Sequence, residues 1–285
     1  MPSHAVFAEQ HSQSLVAAAL QEHHEDRDTL LASLTESLRA DPRIRAAWMW
    51  GSIGRGEADD LSDLDPWLIV SNGSVTEMGA SLRQYALQTG TFIAGGEIPQ
   101  NAPPGGGFFS SLHEGRHGLL HLDCYWQSES AVKSVPERAV LFDRLQEPYA
   151  ALPQGTVPQE SKALIRANAL TGDQDRIVGG IGFAWMMLSI AAKKLARDPE
   201  SDMELMMYPR PGLEDAASLL AKEGLIGPED WSVPEGARDK VELLRVVANK
   251  TARLTEAAIS RGLAISPLNA ICLNRYLDMV ENIVT

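Results

Sequence analysis

The segment from Gly51 to Asp65 reads GSIGRGEADDLSDLD and lies between two apolar runs, IRAAWMW (44–50) and PWLIV (66–70). It ends on Asp63-Leu64-Asp65 at the edge of the second run. On a strand, residues i and i+2 point to the same face. Asp63 and Asp65 therefore converge while Leu64 turns into the core. Two adjacent carboxylates repel unless a cation lies between them. Hard oxygen donors of this kind suit Mg²⁺, which takes one or two carboxylates plus substrate phosphates. Upstream, Gly51 lets the backbone approach a phosphate closely, Ser52 adds a hydroxyl, and Arg55 is the nearby cation. A third acid is expected from a neighbouring strand. In GLLHLDCYW (118–126), alternation puts His121, Asp123 and Tyr125 on one face and Leu122, Cys124 and Trp126 on the other. Three carboxylates can hold two metal ions that bridge the attacking and leaving oxygens of a phosphoryl displacement.

A second segment carries a rival pattern. Residues 113–117 read HEGRH, which matches the zinc-protease sequence H-E-x-x-H. That chemistry needs His113 and His117 one turn apart on a helix, with Glu114 as general base and His121 or Glu137 as a third ligand. Gly115 interrupts the motif, Gly118 follows it, and PPGGG (103–107) precedes it. Each interior glycine costs a helix about 1 kcal/mol relative to alanine. The flanking runs look like strands, so a polar hairpin turn with exposed histidines is expected, and a zinc hydrolase is the remote alternative.

Gly-Ser, ten residues, then Asp-x-Asp at the start of a strand resembles the nucleotidyltransferase signature of the DNA polymerase β superfamily. Within it the chain is similar to stand-alone antibiotic nucleotidyltransferases of the aminoglycoside and lincosamide type. The resemblance covers about residues 40–145 well and the C-terminal half loosely, where GFAWMMLSIAAKKLARD (182–198) resembles a family helix with Trp, paired Lys and Arg. It implies a polymerase-β-like catalytic sheet domain paired with a helical domain. It also implies Mg²⁺, as two ions, and ATP or another NTP as co-substrate. The implied reaction moves a nucleoside monophosphate, AMP by preference, to a hydroxyl and releases pyrophosphate, with antibiotic resistance as the outcome. By the same motif match Asp63, Asp65 and Asp123 are the catalytic metal ligands, and Gly51, Ser52 and Arg55 hold the triphosphate. Asp123 is also a candidate to activate the acceptor hydroxyl. Glu97, Glu114 and Asp143 are further candidate bases that the sequence does not rank. Lys193 and Lys194 are either phosphate contacts or a solvated helix end.

These residues need a frame. Residues 9–39 read as two helices, with Leu30, Leu31, Leu34 and Leu38 at helical spacing and Pro42 ending the run. Strands are expected at 44–50, 66–70, 91–94, 107–112, 118–126 and 139–143, with a helix at 74–89. Pro148, Pro153, Gly155 and Pro158 mark a linker over 146–158. Beyond it only helical periodicity appears, at about 160–197, 201–224, 237–261 and 267–283. The fold class is α+β: a mixed sheet domain over 1–145 with N-terminal helices, then an all-helical domain over 160–285. The stretch between Arg176 and Lys193 is apolar but short and glycine-rich, and reads as a buried helix rather than a membrane span. Trp48, Trp50, Trp67 and Trp185 read as core, and His23 and His24 as surface.

Charge narrows the acceptor. The chain of 285 residues has a net charge of −13. Residues 1–150 hold 10 basic and 20 acidic side chains, so the excess lies beside the carboxylate motif. A nucleic-acid partner needs a basic face and is not expected. A small hydroxylated acceptor is favoured, and a cationic aminoglycoside suits an acidic cleft. The alternative is an antitoxin-like or regulatory nucleotidyltransferase that modifies a partner protein through the helical half. Two cysteines, Cys124 and Cys272, and no secretory signal pattern point to a reduced, cytoplasmic protein. A homodimer is compatible with the sequence.

Overall fold

The structure, a computed structural model, describes residues 4–135, 137–145, 149–151, 172–200, 210–227 and 239–284. The N-terminal part comprises α1 (His4–Ala40), β1 (Ile44–Met49), the one-turn helix α2 (Gly51–Arg55), β2 (Pro66–Val70), α3 (Met78–Gln88), β3 (Phe92–Glu97), β4 (Gly106–Gly115), β5 (Gly118–Ser128), β6 (Lys133–Ser134), β7 (Ala139–Asp143) and β8 (Ala150–Ala151). The C-terminal part comprises α4 (Asp173–Arg197), α5 (Arg210–Lys222), α6 (Lys240–Ser260) and α7 (Leu268–Val284). This is the expected α+β order, a mixed sheet with helices followed by a helical region. Of the proline-marked linker, 146–148 and 152–158 lie outside the described residues, as do the stretches 160–171, 201–209 and 237–238 of the expected helices.

Chain contacts divide the molecule into a sheet unit, His24–Glu114 with Leu120–Ala169, and a helical unit, Met1–His23 and Gly115–Leu119 with Leu170–Thr285. In the sheet unit, six strands run in the order β3-β4-β5-β2-β1-β7. β1 is antiparallel to β2 and β7, and β2 is parallel to β5. Alternation then sorts the side chains. Leu64, Leu68, Val70, Leu120, Leu122, Cys124 and Trp126 turn to one face, where Leu30, Leu34 and Leu38 of α1 and Met78, Leu82 and Ala86 of α3 cover them. Trp48, Trp67 and Ile69 form a smaller cluster on the opposite face, joined by Trp50 and Tyr125. Fully burying one such apolar side chain contributes about 1.5–3 kcal/mol, so both faces hold β2 and β5 in register.

The first helices are one helix. Its 37 residues include neither Gly nor Pro, so nothing in the chain breaks it. His23, expected at the surface, is 4% exposed, its ring 5.6 Å from that of Tyr276.

In the helical unit α4 packs against α5, α6 and α7. Gly180 permits the close crossing with α5, since a Cβ there would meet the Gly212 carbonyl at 2.5 Å. Buried Trp185 donates its indole N–H to Thr255 Oγ1 at 3.1 Å. By length and composition α4 could cross a bilayer, but 61% of its apolar window is buried inside the protein, as a core helix requires. Asp239 caps α6 by accepting from the Val241 N–H at 2.8 Å, an arrangement worth about 1 kcal/mol.

Candidate active site

The parallel pairing of β2 and β5 builds the site. Trp67 pairs with Tyr125, and a bridge between Leu64 and Leu122 extends the same offset past the start of β2. The Leu64 N–H donates to the His121 carbonyl at 3.0 Å, and the Asp123 N–H donates to the Leu64 carbonyl at 2.8 Å. With that register Asp63 stands beside His121, and Asp65 beside Asp123. All four lie on the face opposite α1 and α3, because Leu64 and Leu122 are committed to the other side. Asp63, Asp65 and Asp123 are each partly exposed, whereas His121 is 7% exposed.

Gly51 joins this site by contact. The Trp50 N–H donates to the Asp65 carbonyl at 2.9 Å, which brings the turn after β1 against the start of β2. An ideal Cβ on Gly51 would lie 2.2 Å from Asp65 Oδ2, and the residue has φ +64°. Both facts demand glycine. The glycine that was expected to admit a phosphate thus admits the Asp65 carboxylate. Ser52 follows, half-buried, at the start of α2. Arg55 ends that helix, with its Nε 2.7 Å from Glu57 Oε2.

The remaining acids of the loop hold its shape. Asp59 Oδ1 accepts from the Ser62 hydroxyl at 2.8 Å and the Leu61 N–H at 3.1 Å. The Asp59 carbonyl accepts from Arg27 at 2.7 Å, and Asp60 meets His24 at 2.9 Å. The structure also separates the other candidate bases. Glu97 lies on β3, at one edge of the sheet, where its carboxylate covers Gly79 near the start of α3. Asp143 lies on β7, at the other edge, and accepts from the Trp48 indole and the Tyr149 hydroxyl. Glu114 lies on β4, its N–H donated to the Thr91 carbonyl at 2.9 Å. Of the candidate bases, Asp123 alone shares a strand pair with Asp65.

Sequence reasoning set His121 on the Asp123 face but gave it no part in the carboxylate site. Its Nε2 is 2.9 Å from Ser110 Oγ and 3.1 Å from Asp123 Oδ1, while its Nδ1 is 4.0 Å from Asp63 Oδ1. Counting back from the two-residue turn at Arg116 and His117 sets Leu112 across from His121 and Ser110 across from Asp123, so Ser110 reaches the His121 ring diagonally from the adjoining strand. The other missed feature is aromatic. Trp67 and Tyr125 stack with centroids 5.1 Å apart, and Trp50 stands edge-on to both. The Tyr125 hydroxyl is held far above the ordinary phenol range, first by burial and then by the charges of Asp123, Asp65 and Asp63. All three carboxylates therefore act on one neighbourhood, whose negative potential favours a cation.

The donor set fits Mg²⁺. It consists of hard carboxylate oxygens on one face, partly open to solvent. Among the described residues no three His, Cys, Asp or Glu side chains stand together as a set that could by itself hold an ion. Such a cage belongs to other metals, because Mg²⁺ keeps waters and is bound by one or two carboxylates together with substrate phosphates. Lys193 and Lys194 belong to the helical unit. Lys193 is buried, which removes the solvated-end reading for it, and Lys194 is exposed.

The zinc pattern does not assemble. His113 is on β4 and His117 in the turn, so they lack the helical spacing the motif needs. His113 Nε2 is 3.1 Å from Ser111 Oγ, and His117 Nε2 is 2.6 Å from Glu22 Oε2. The hairpin is as expected, but the exposure is not: His113 is fully buried.

No family model matches the chain, and no curated protein matches it. Among solved structures it is similar to the crystal structure of an aminoglycoside 6-adenyltransferase from Bacillus subtilis. The two are 11% identical, and the match covers 90% of this chain and 98% of that one at a TM-score of 0.29. At that score the functional reading rests on the residues of this chain.

Proposed function

We propose that the protein is a nucleotidyltransferase of the DNA polymerase β type. It transfers a nucleoside monophosphate, AMP by preference, from an NTP to a hydroxyl of a small molecule and releases pyrophosphate. The observation that supports this best is the register of β2 and β5, which sets Asp65 beside Asp123 with Asp63 on the same face.

In this reading Asp63, Asp65 and Asp123 hold Mg²⁺, which when bound offsets the charge of the triphosphate and of the leaving pyrophosphate. The chain's own part is to orient and to accept a proton. Gly51 fixes the place of the Asp65 carboxylate. Asp123, partly exposed at the same site, is the group best placed to accept the proton of the acceptor hydroxyl as that oxygen attacks the α-phosphorus. Ser52 and Arg55 are assigned to the triphosphate. An acidic face of this kind suits a cationic acceptor such as an aminoglycoside.

The test is transfer of label from α-labelled ATP, in the presence of Mg²⁺, to a panel of aminoglycosides and lincosamides. Labelled product and released pyrophosphate are expected, and both should vanish in Asp63→Asn and Asp65→Asn. Undiminished transfer in both variants overturns the reading.

A further inference from the structure

We propose that His121 is a positioning residue for the carboxylates, with Ser110 as its anchor. The inference rests on the nucleotidyl-transfer reading of the same site. His121 stands between two candidate metal ligands, which it approaches through different ring nitrogens. Nε2 is 3.1 Å from Asp123 Oδ1, and Nδ1 is 4.0 Å from Asp63 Oδ1. Strand register explains why: His121 is the residue beside Asp63 across the pair and the i−2 neighbour of Asp123 along its own strand. Burial leaves its side chain 6% exposed, so the ring has little room to turn. Ser110 Oγ, itself buried, lies 2.9 Å from Nε2 and fixes the ring from the adjoining strand. A histidine serving only the core would face Leu120, Leu122 and Cys124. This one lies on the opposite face, among the acids.

The physical task is clear. Three carboxylates on one face repel one another. An imidazole between two of them keeps Asp63 and Asp123 apart and supplies a polar neighbour to each. Groups that orient metal-binding carboxylates typically alter metal affinity by about 10–100-fold when removed.

The experiment measures Mn²⁺ binding to the full chain with a non-hydrolysable ATP analogue, by electron paramagnetic resonance, beside melting temperature and steady-state kinetics. His121→Leu removes both ring nitrogens, whereas His121→Gln keeps an amide donor near the Nε2 position. For His121→Leu, Mn²⁺ binding is expected to weaken about tenfold or more. Its kcat should fall while KM for the acceptor stays unchanged, and His121→Gln should recover most of both losses. A purely structural histidine would lower the melting temperature and leave Mn²⁺ affinity alone, which overturns the proposal. Should His121→Leu not fold, Ser110→Ala serves in its place, with about tenfold weaker Mn²⁺ binding expected and unchanged binding counting against the role. Wild-type protein that binds no Mn²⁺ sinks the nucleotidyl-transfer reading together with this one.

Discussion

Two stretches of the chain carry metal-ligand residues at suggestive spacings, and the fold treats them differently. Asp-x-Asp at 63–65 needs a strand, because only there do i and i+2 share a face. It sits at the start of β2, whose parallel partner then places a third acid beside it. HEGRH at 113–117 needs a helix, because only there do i and i+4 share a face. It runs from the end of β4 into a two-residue turn, and its histidines find separate partners in Ser111 and Glu22. The difference teaches that ligand spacing has meaning only in the secondary structure that closes it. Here the glycines decide: Gly115 and Gly118 disfavour the helix, whereas Gly51 makes the room that Asp65 occupies.

The sharpest test of this contrast is removal of the acids. Asp63→Asn and Asp65→Asn each keep side-chain volume and are expected to lower nucleotide transfer by about 10³-fold or more, with circular dichroism and melting temperature near wild type. Next is Gly51→Ala, which leaves every acid in place. Its Cβ would need the space of the Asp65 carboxylate, and its φ of +64° suits no alanine. Displacement of a ligand by about 1 Å costs roughly 10²-fold in rate, and the strained backbone costs about 1–3 kcal/mol. Kinetics together with thermal unfolding of this one variant should show both losses. Full activity would mean that Asp65 has no fixed place in the reaction.

Much of this was legible in the residues. Strands β2 and β7 occupy the expected spans, and Leu64 turns inward between two acids as alternation requires. The two predicted N-terminal helices are one, because a polar stretch in a sequence resembles a break, whereas a helix ends only where capping or a breaker ends it. His121 was visible by type but not by role. Its role depends on Ser110 and on the offset between β2 and β5, and pairing offsets between strands distant in the chain are not written in any local pattern. For the same reason the sequence could list Glu97, Glu114 and Asp143 as bases but could not tell the sheet edge from its centre.

The rival motif yields a prediction about stability rather than catalysis. His113 is buried against the edge of Phe92. Burial, with a smaller contribution from His121, holds its pKa at about 4, below the ordinary 6.5. The folded protein therefore keeps this imidazole neutral while the unfolded chain takes up a proton near 6.5. The resulting stability is fully present above about pH 6.5 and is lost as the pH falls towards 4, an effect of order 3 kcal/mol. His113→Leu should flatten that part of the pH–stability curve in urea unfolding at a series of pH values. An unchanged acid slope would show that His113 does not control it.

The smallest effect is expected at the other end of the same motif. His117 Nε2 and Glu22 Oε2 are 2.6 Å apart, with side chains 30% and 44% exposed. Water screens a pair this open, and such pairs contribute about 0–1 kcal/mol. His117→Ala should therefore lower stability by about 0.5 kcal/mol, measured by urea unfolding at neutral pH. Elemental analysis should find no stoichiometric zinc in the wild type or in this variant, because a strand and a turn cannot bring His113 and His117 to one tetrahedral centre. A zinc content near one per chain, lost in His117→Ala, would reverse the contrast between the two segments and make the hairpin the metal site. Substoichiometric zinc unchanged by the substitution would leave the contrast standing, since the ion would then be bound elsewhere.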